Sequence, residues 1–190
     1  MCRGIVRICT AVFVCLFFTP LLKGQGEESA GKFEQFFYPN GNISSEGIMR
    51  DGKPDGYWRT YYVTGVVKSE GKRTNFLLDS TWNFYNQTGE LTQQIDYKLG
   101  EKSGYTLRYS YNNPLQPGAP TVVSRELYVN GKKEGPSYYY YPTGELRTIV
   151  IYQNGKKQGL SREFSRDSTL ISVVEYNDNY VINRERVNRT

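Results

Sequence analysis

Carboxylates are the side chains of this chain best suited to chemistry. Glu46, Glu70, Glu90, Asp96 and Glu145 are of the right type for a glycosidase pair, in which one acid protonates a leaving oxygen and the other attacks or activates water. Other catalytic schemes lack their parts. The chain has no histidine, and its three cysteines, Cys2, Cys9 and Cys15, all lie in the first fifteen residues. A nucleophile–histidine pair is therefore excluded, and a metal would have to be held by oxygen alone. The five carboxylates are scattered, and Glu90 and Glu145 directly follow turn glycines, where solvation is expected. No cofactor is implied.

Three groups of residues suit recognition better. Lys53, Lys102, Lys132, Lys133, Lys156 and Lys157 fall at corners of a repeating pattern. Stacked corners would gather them into a basic rim for anionic lipid or polysaccharide. Asp55, Glu101 and Glu134 are interleaved with them, so solubilised strand edges are the competing explanation. Tyr138 to Tyr141, with Trp58 and Trp82, could stack on sugars or anchor a protein partner. Of these, Tyr139, Tyr141 and the two tryptophans are the ligand-contact candidates, against cross-strand packing as the alternative. Phe76, Leu77 and Leu78 make an apolar corner among polar ones, which suits a docking patch or a fold over a sheet edge.

The elements that position these groups repeat every 24 residues. Gly41, Gly65 and Gly89 are spaced so, as are Gly131 and Gly155, and Gly135 and Gly159. A period of this size implies stacked supersecondary units. Each unit opens on a glycine corner such as Asp51 to Gly56. An aromatic strand such as Tyr57 to Tyr62 follows, then a tight turn such as Val63-Thr64-Gly65, then a second strand such as Val66 to Lys72. Gly, Asn and Asp supply the positive φ that hairpin turns need. Aromatic and β-branched residues fill the strands. No 3.6-residue apolar period occurs beyond the first 25 residues.

Columns emerge at this spacing. Phe37, Tyr61, Tyr85, Tyr109, Tyr140 and Phe164 are aromatic. Ile43, Val67, Leu91, Val122, Leu146 and Leu170 are aliphatic. Ser45, Ser69, Gln93, Ser124, Thr148 and Ser172 are small or polar. Standing two residues after the aliphatic column, they are expected on the same face. Met49, Arg73, Tyr97, Tyr128, Tyr152 and Tyr176 extend that face. An insertion near 112–120, carrying Pro114, Pro117 and Pro120, reads as a loop projecting from one edge.

Residues 1–25 read as a secretory signal peptide: a basic start at Arg3 and Arg7, an apolar run from Ile8 to Phe18, and a Lys23-Gly24-Gln25 exit. An uncleaved anchor is the alternative, although the run is short for a bilayer. The sequence thus divides into a signal (1–25), a linker (26–32), a repeat array (33–182) and a tail (183–190). Without the signal the cysteines are lost, and 21 basic residues face 19 acidic ones in place of the 24 against 19 of the whole chain. The balance no longer suggests a nucleic-acid partner. Export without disulfides fits a periplasmic, outer-membrane-associated or extracellular site in a bacterium. Asn42, Asn86 and Asn188 begin N-x-Ser/Thr tripeptides, which matter only in a eukaryotic secretory route.

The order of tyrosine strand, Pro-Asn-Gly or Pro-Thr-Gly turn, leucine strand and Asn-Gly-Lys-Lys-x-Gly corner resembles the MORN repeat in its bacterial variant form. Tyr38-Pro39-Asn40-Gly41, Tyr141-Pro142-Thr143-Gly144, Asn130 to Gly135 and Asn154 to Gly159 carry the resemblance. It covers roughly Phe33 to Tyr180. It departs at Phe76 to Ser80, at the insertion, and at Asp167-Ser168, which stands where Thr-Gly is usual. The resemblance implies an elongated antiparallel sheet of about six tandem β-hairpins and a binding or scaffolding role. Some bacterial members are antitoxin-like. The expected fold is all-β: about twelve strands, some 55 Å of sheet at ~4.8 Å per strand. The expected function is an exported, non-enzymatic module for a protein or envelope polysaccharide, with an immunity-like protein and a polysaccharide-active enzyme as alternatives. A second copy of the chain could cover one face of such a single-layer sheet.

Overall fold

The computed structural model describes residues 31–187. The expected signal segment, residues 26–30 of the expected linker, the three cysteines and Asn188 lie outside the described residues. Within them every regular element is a strand: β1 Lys32–Phe37, β2 Ile43–Arg50, β3 Lys53–Tyr61, β4 Val67–Thr74, β5 Leu77–Tyr85, β6 Leu91–Lys98, β7 Glu101–Ser110, β8 Thr121–Val129, β9 Lys132–Lys133, β10 Gly135–Tyr140, β11 Leu146–Gln153, β12 Lys156–Lys157, β13 Gly159–Phe164, β14 Leu170–Asn177 and β15 Tyr180–Arg186. All pair antiparallel in one open meander. Thirteen strand positions cross the sheet, because β9 with β10 and β12 with β13 each form one interrupted strand.

Two kinds of turn produce this. At one margin, two-residue corners have both central residues at positive φ, as in Asn130-Gly131 (47° and 74°) and Asn154-Gly155 (51° and 83°). This is the type I′ geometry whose twist matches the flanking strands. The second unit meets the same requirement with Asn75-Phe76 (50° and 70°), an unfavourable conformation for a bulky residue. At the other margin, five-residue turns close on a glycine in the left-handed region, such as Gly41, Gly65, Gly89 and Gly144; Ser168 takes that place in the last unit, at φ 64°. Tyr38, Tyr62 and Tyr141 begin three of these turns, and each donates its hydroxyl to a carbonyl one unit on: Tyr61 (2.7 Å), Tyr85 (2.8 Å) and Phe164 (2.9 Å). The turn tyrosines therefore tie successive hairpins together.

The expected face assignment is corrected by a bulge. In each hairpin carrying a five-residue turn the register slips once: Phe36 pairs with Ser45 but Phe37 with Ile43, and Thr60 pairs with Ser69 but Tyr61 with Val67. One residue on the first strand thus opposes two on the second. The aliphatic column pairs with the aromatic column, and the Ser45 column lies on the opposite face. We call the face that carries Ser45 face A and the other face B.

Face A holds the core. Its central row runs Gly47, Trp58, Gly71, Trp82, Ile95, Thr106, Glu126, Ser137, Val150, Ser161, Val174 across the paired strands. Among the described residues, apart from Asn113 in the insertion, the buried side chains all lie in this row or in the Ser45 column beside it. Trp58 and Trp82 lie over glycines. A Cβ at Gly47 would stand 2.5 Å from the Trp58 ring, and one at Gly71 would stand 2.5 Å from two atoms of the Trp82 ring. The Trp82 indole N–H is satisfied by the Lys72 carbonyl at 2.8 Å.

β15 continues the array to Arg186, beyond the boundary expected at 182. All seven of its residues are exposed. Backbone pairing with β14, with little side-chain burial, holds it, which is why its polar end reads as a tail. The insertion is anchored by Asn113, buried at 5% exposure, which donates to Thr121 Oγ1 at 3.2 Å and accepts from the Leu115 amide at 2.9 Å.

Candidate functional site

The carboxylates considered for catalysis are each committed to structure. On face B, Glu70 accepts from Tyr57 (2.7 Å), Arg59 (2.8 Å) and Tyr85 (2.8 Å). Burial alone would raise its carboxyl, but these three bonds hold it below the ordinary value. Glu46 is bonded by Tyr61 and by Gln35 (2.8 Å), and those bonds lower it against the opposing effect of burial. A general acid needs the reverse shift. Asp96 accepts from Thr81 (2.7 Å) and the Tyr105 amide (2.8 Å). Glu90 and Glu145 close five-residue turns, bonded by Asn86 and Thr143 respectively.

Trp58 and Trp82 are 6% and 2% exposed, which corrects their reading as surface stacking platforms. The glycines beneath them draw the rings down onto the sheet. Tyr139 and Tyr141 do not form one platform either. Tyr139 turns inward on face A, whereas Tyr141 starts a turn, with the Arg166 guanidinium 5.4 Å from its ring centre. Phe76 caps its corner with Lys53 Nζ 5.0 Å over the ring. Leu77 is exposed and packs toward the Leu99-Gly100 corner. Leu78 pairs with Arg73.

The lysines do not form a single rim, because adjacent strand residues face opposite ways. Lys132 and Lys156 stay exposed, and Lys156 pairs with Asp178 at 3.0 Å. Lys102, Lys133 and Lys157 instead turn onto face A, each with its ammonium 4.9 Å over a tyrosine ring of the next unit: Tyr128, Tyr152 and Tyr176. A ladder of alternating lysine and tyrosine results. Desolvated cation–π contacts of this kind contribute on the order of 1–2 kcal/mol each.

At the ladder's centre lies a residue not singled out in the sequence. Glu126, 1% exposed, accepts from Lys133 Nζ (2.5 Å), Tyr139 OH (2.7 Å) and Tyr128 OH (3.3 Å). Burial pushes its carboxyl up. The Lys133 and Tyr139 bonds, with the charges of Lys133 and Arg108, outweigh burial and hold it below its ordinary value. Tyr128 is pushed up to about 12 by burial and the Glu126 charge. Tyr139 is raised by burial and by its bond to Glu126. Beside this carboxylate the hydroxyls of Thr106, Ser124 and Ser137 are buried without a partner, and so is that of Ser161 further along the row.

The ladder opens C-terminally into a groove of about 430 Å³ on face A, between β11 and β15. Val150, Ser161 and Val174 make its floor, Lys157 and Tyr176 one wall, and Thr148, Glu163 and Ser172 the other, with Arg184 and Arg186 on the final strand. Ser161 stands where Trp58 and Trp82 stand in earlier units, so the volume of an indole is missing there. Ser172 donates to Glu163 at 3.0 Å. Among the described residues Lys157, Arg184 and Arg186 make no ion pair. The groove is therefore net cationic over a floor of two valines and one serine.

These features define a repeat protein: tandem hairpins in one sheet, with side chains ranked along two open faces. Residues 34–51 and 133–154 match the MORN repeat variant family. Those two segments are thus similar to MORN repeats, a type commonly used as binding or scaffolding modules and generally without enzymatic activity. No curated protein matches it.

Proposed function

We propose that this chain is an exported, non-enzymatic binding module that holds an acidic polysaccharide in the groove at the C-terminal end of face A. The carrying observation is the arrangement of Lys157, Arg184 and Arg186, free of ion pairs, around one carboxylate, Glu163, over the Val150–Ser161–Val174 floor. Cations at a rim steer and orient an anionic chain, and the Tyr176 ring offers an apolar face to sugar carbons. Export is supported by the basic start and apolar run of residues 1–25. The saturation of Glu46 and Glu70 by hydrogen bonds supports a role without catalysis.

The test is calorimetric titration with polygalacturonate and with neutral dextran as control. The acidic polymer should bind, binding should weaken as salt screens the exposed arginines, and Arg184→Glu with Arg186→Glu should abolish it. Equal binding of dextran, or full binding by the double variant, would overturn the reading.

A further inference from the structure

The array contains the same face B cavity twice, and the two copies differ in charge. The earlier copy, about 460 Å³, is lined by Arg59, Val67, Glu70 and Tyr85 among others. The later copy, also about 460 Å³, is lined by Tyr105, Leu107, Val122, Arg125 and Tyr140. At the repeat spacing, Leu107 replaces Arg59, Arg125 replaces Glu70, Tyr105 replaces Tyr57 and Tyr140 replaces Tyr85. In the earlier copy the carboxylate of Glu70 collects Arg59 and both tyrosine hydroxyls. That cavity supplies its own anion. In the later copy the anion is missing. Arg125 lies with its guanidinium carbon 4.2 Å from the centre of the Tyr105 ring and makes no ion pair among the described residues. Leu107 and Val122 turn the rest of the wall apolar.

We propose that this second cavity binds the C-terminal residue of a partner polypeptide, its apolar side chain against Leu107 and Val122 and its α-carboxylate on Arg125. The ligand then provides the carboxylate that Glu70 provides in the earlier copy. An extended peptide turns neighbouring side chains to opposite faces, so an internal acid beside an apolar residue points away from the cavity. A chain terminus carries both groups on one residue. The cavity opens at a lip where Tyr105 is 42% exposed, which leaves a path for the preceding main chain. A planar fork such as the Arg125 guanidinium suits a carboxylate in two-point contact. This site lies on the face opposite the cationic groove and stands or falls independently of it.

The experiment is fluorescence anisotropy of the full chain with a labelled hexapeptide ending in phenylalanine, as free acid and as C-terminal amide. The acid should bind at least tenfold tighter than the amide, and Arg125→Gln should remove the difference. Leu107→Arg with Arg125→Glu rebuilds the Arg59–Glu70 pair of the earlier copy. It should keep the circular dichroism and melting of the parent while losing the acid peptide. Equal binding of acid and amide, no binding of either at millimolar concentration, or undiminished binding by the well-folded rebuilt variant would each overturn the proposal.

Discussion

The two halves of face A solve one packing problem in opposite ways. From β2 to β5 a tryptophan on one strand lies over a glycine on the strand before it: Trp58 over Gly47, Trp82 over Gly71. From β8 to β13 the bulk moves to the other partner, and Ser137 and Ser161 sit beside Glu126 and Val150. The first arrangement seals the face with indoles, flanked by Phe36 and Phe84 at centroid distances of 6.2 and 6.4 Å. The second leaves buried hydroxyls, a carboxylate held by lysine and tyrosine, and an open cationic groove. The repeat therefore fixes the combined bulk of a pair only loosely, and the half that gives up tryptophan gains room for a ligand. A single-layer sheet can in this way carry a sealed half and an open half on one backbone pattern.

The largest expected effect would come from breaking the sealed half. Gly71→Val places new atoms inside the Trp82 ring and should cost about 3 kcal/mol or more. Trp82→Ala should cost about 3–5 kcal/mol through the cavity it leaves. Urea midpoints decide both, and a Gly71→Val protein as stable as the parent would mean the indole does not lie on that glycine.

Next in size is the polar half. Glu126→Ala leaves Lys133 without its partner and should cost about 3 kcal/mol, whereas the shape-conserving Glu126→Gln should cost less. The Glu126 carboxyl is lower in the folded chain than its ordinary 4.5. Its contribution is then complete above that value and disappears as pH falls through the folded value. Denaturation midpoints of the parent should decline as pH is taken below 4.5, and those of Glu126→Gln should decline less. Identical acid profiles would remove Glu126 from the stabilising network.

The smallest effect compares the turns of the two halves. Gly41, Gly65 and Gly89 close theirs without strain, whereas Ser168 does the same at φ 64°. Ser168→Gly should gain about 1 kcal/mol by relieving a left-handed conformation. A thermal melt measures it, and a loss of stability would show that the serine hydroxyl matters more than the backbone.

Much of this architecture is legible in the residues. The 24-residue spacing, the Asn-Gly and Asp-Gly corners and the aromatic strands lead directly to the hairpins and to their order. The faces are not legible, because counting by two assumes an unbroken pleat and each five-residue turn adds a bulge that no residue type announces. Trp58 and Trp82 look like surface rings until Gly47 and Gly71 are set across from them. Glu126 carried a signal that column reading could have caught: it is the one charge among Gly47, Gly71, Ile95, Val150 and Val174. The splitting of Lys132 from Lys133 follows from strand alternation alone. The groove itself depends on Arg184 and Arg186, whose charge and position at the chain's end resemble a solvated tail.

If exchanging tryptophan for serine is what opens the proposed binding groove, reversing the exchange should close it. Val150→Gly with Ser161→Trp gives the C-terminal unit the pattern of Gly47 with Trp58. Calorimetric titration of that double variant with polygalacturonate should show binding lost while the protein still melts cooperatively at or above the parent's temperature. Parental affinity in the folded, tryptophan-filled variant would contradict the account.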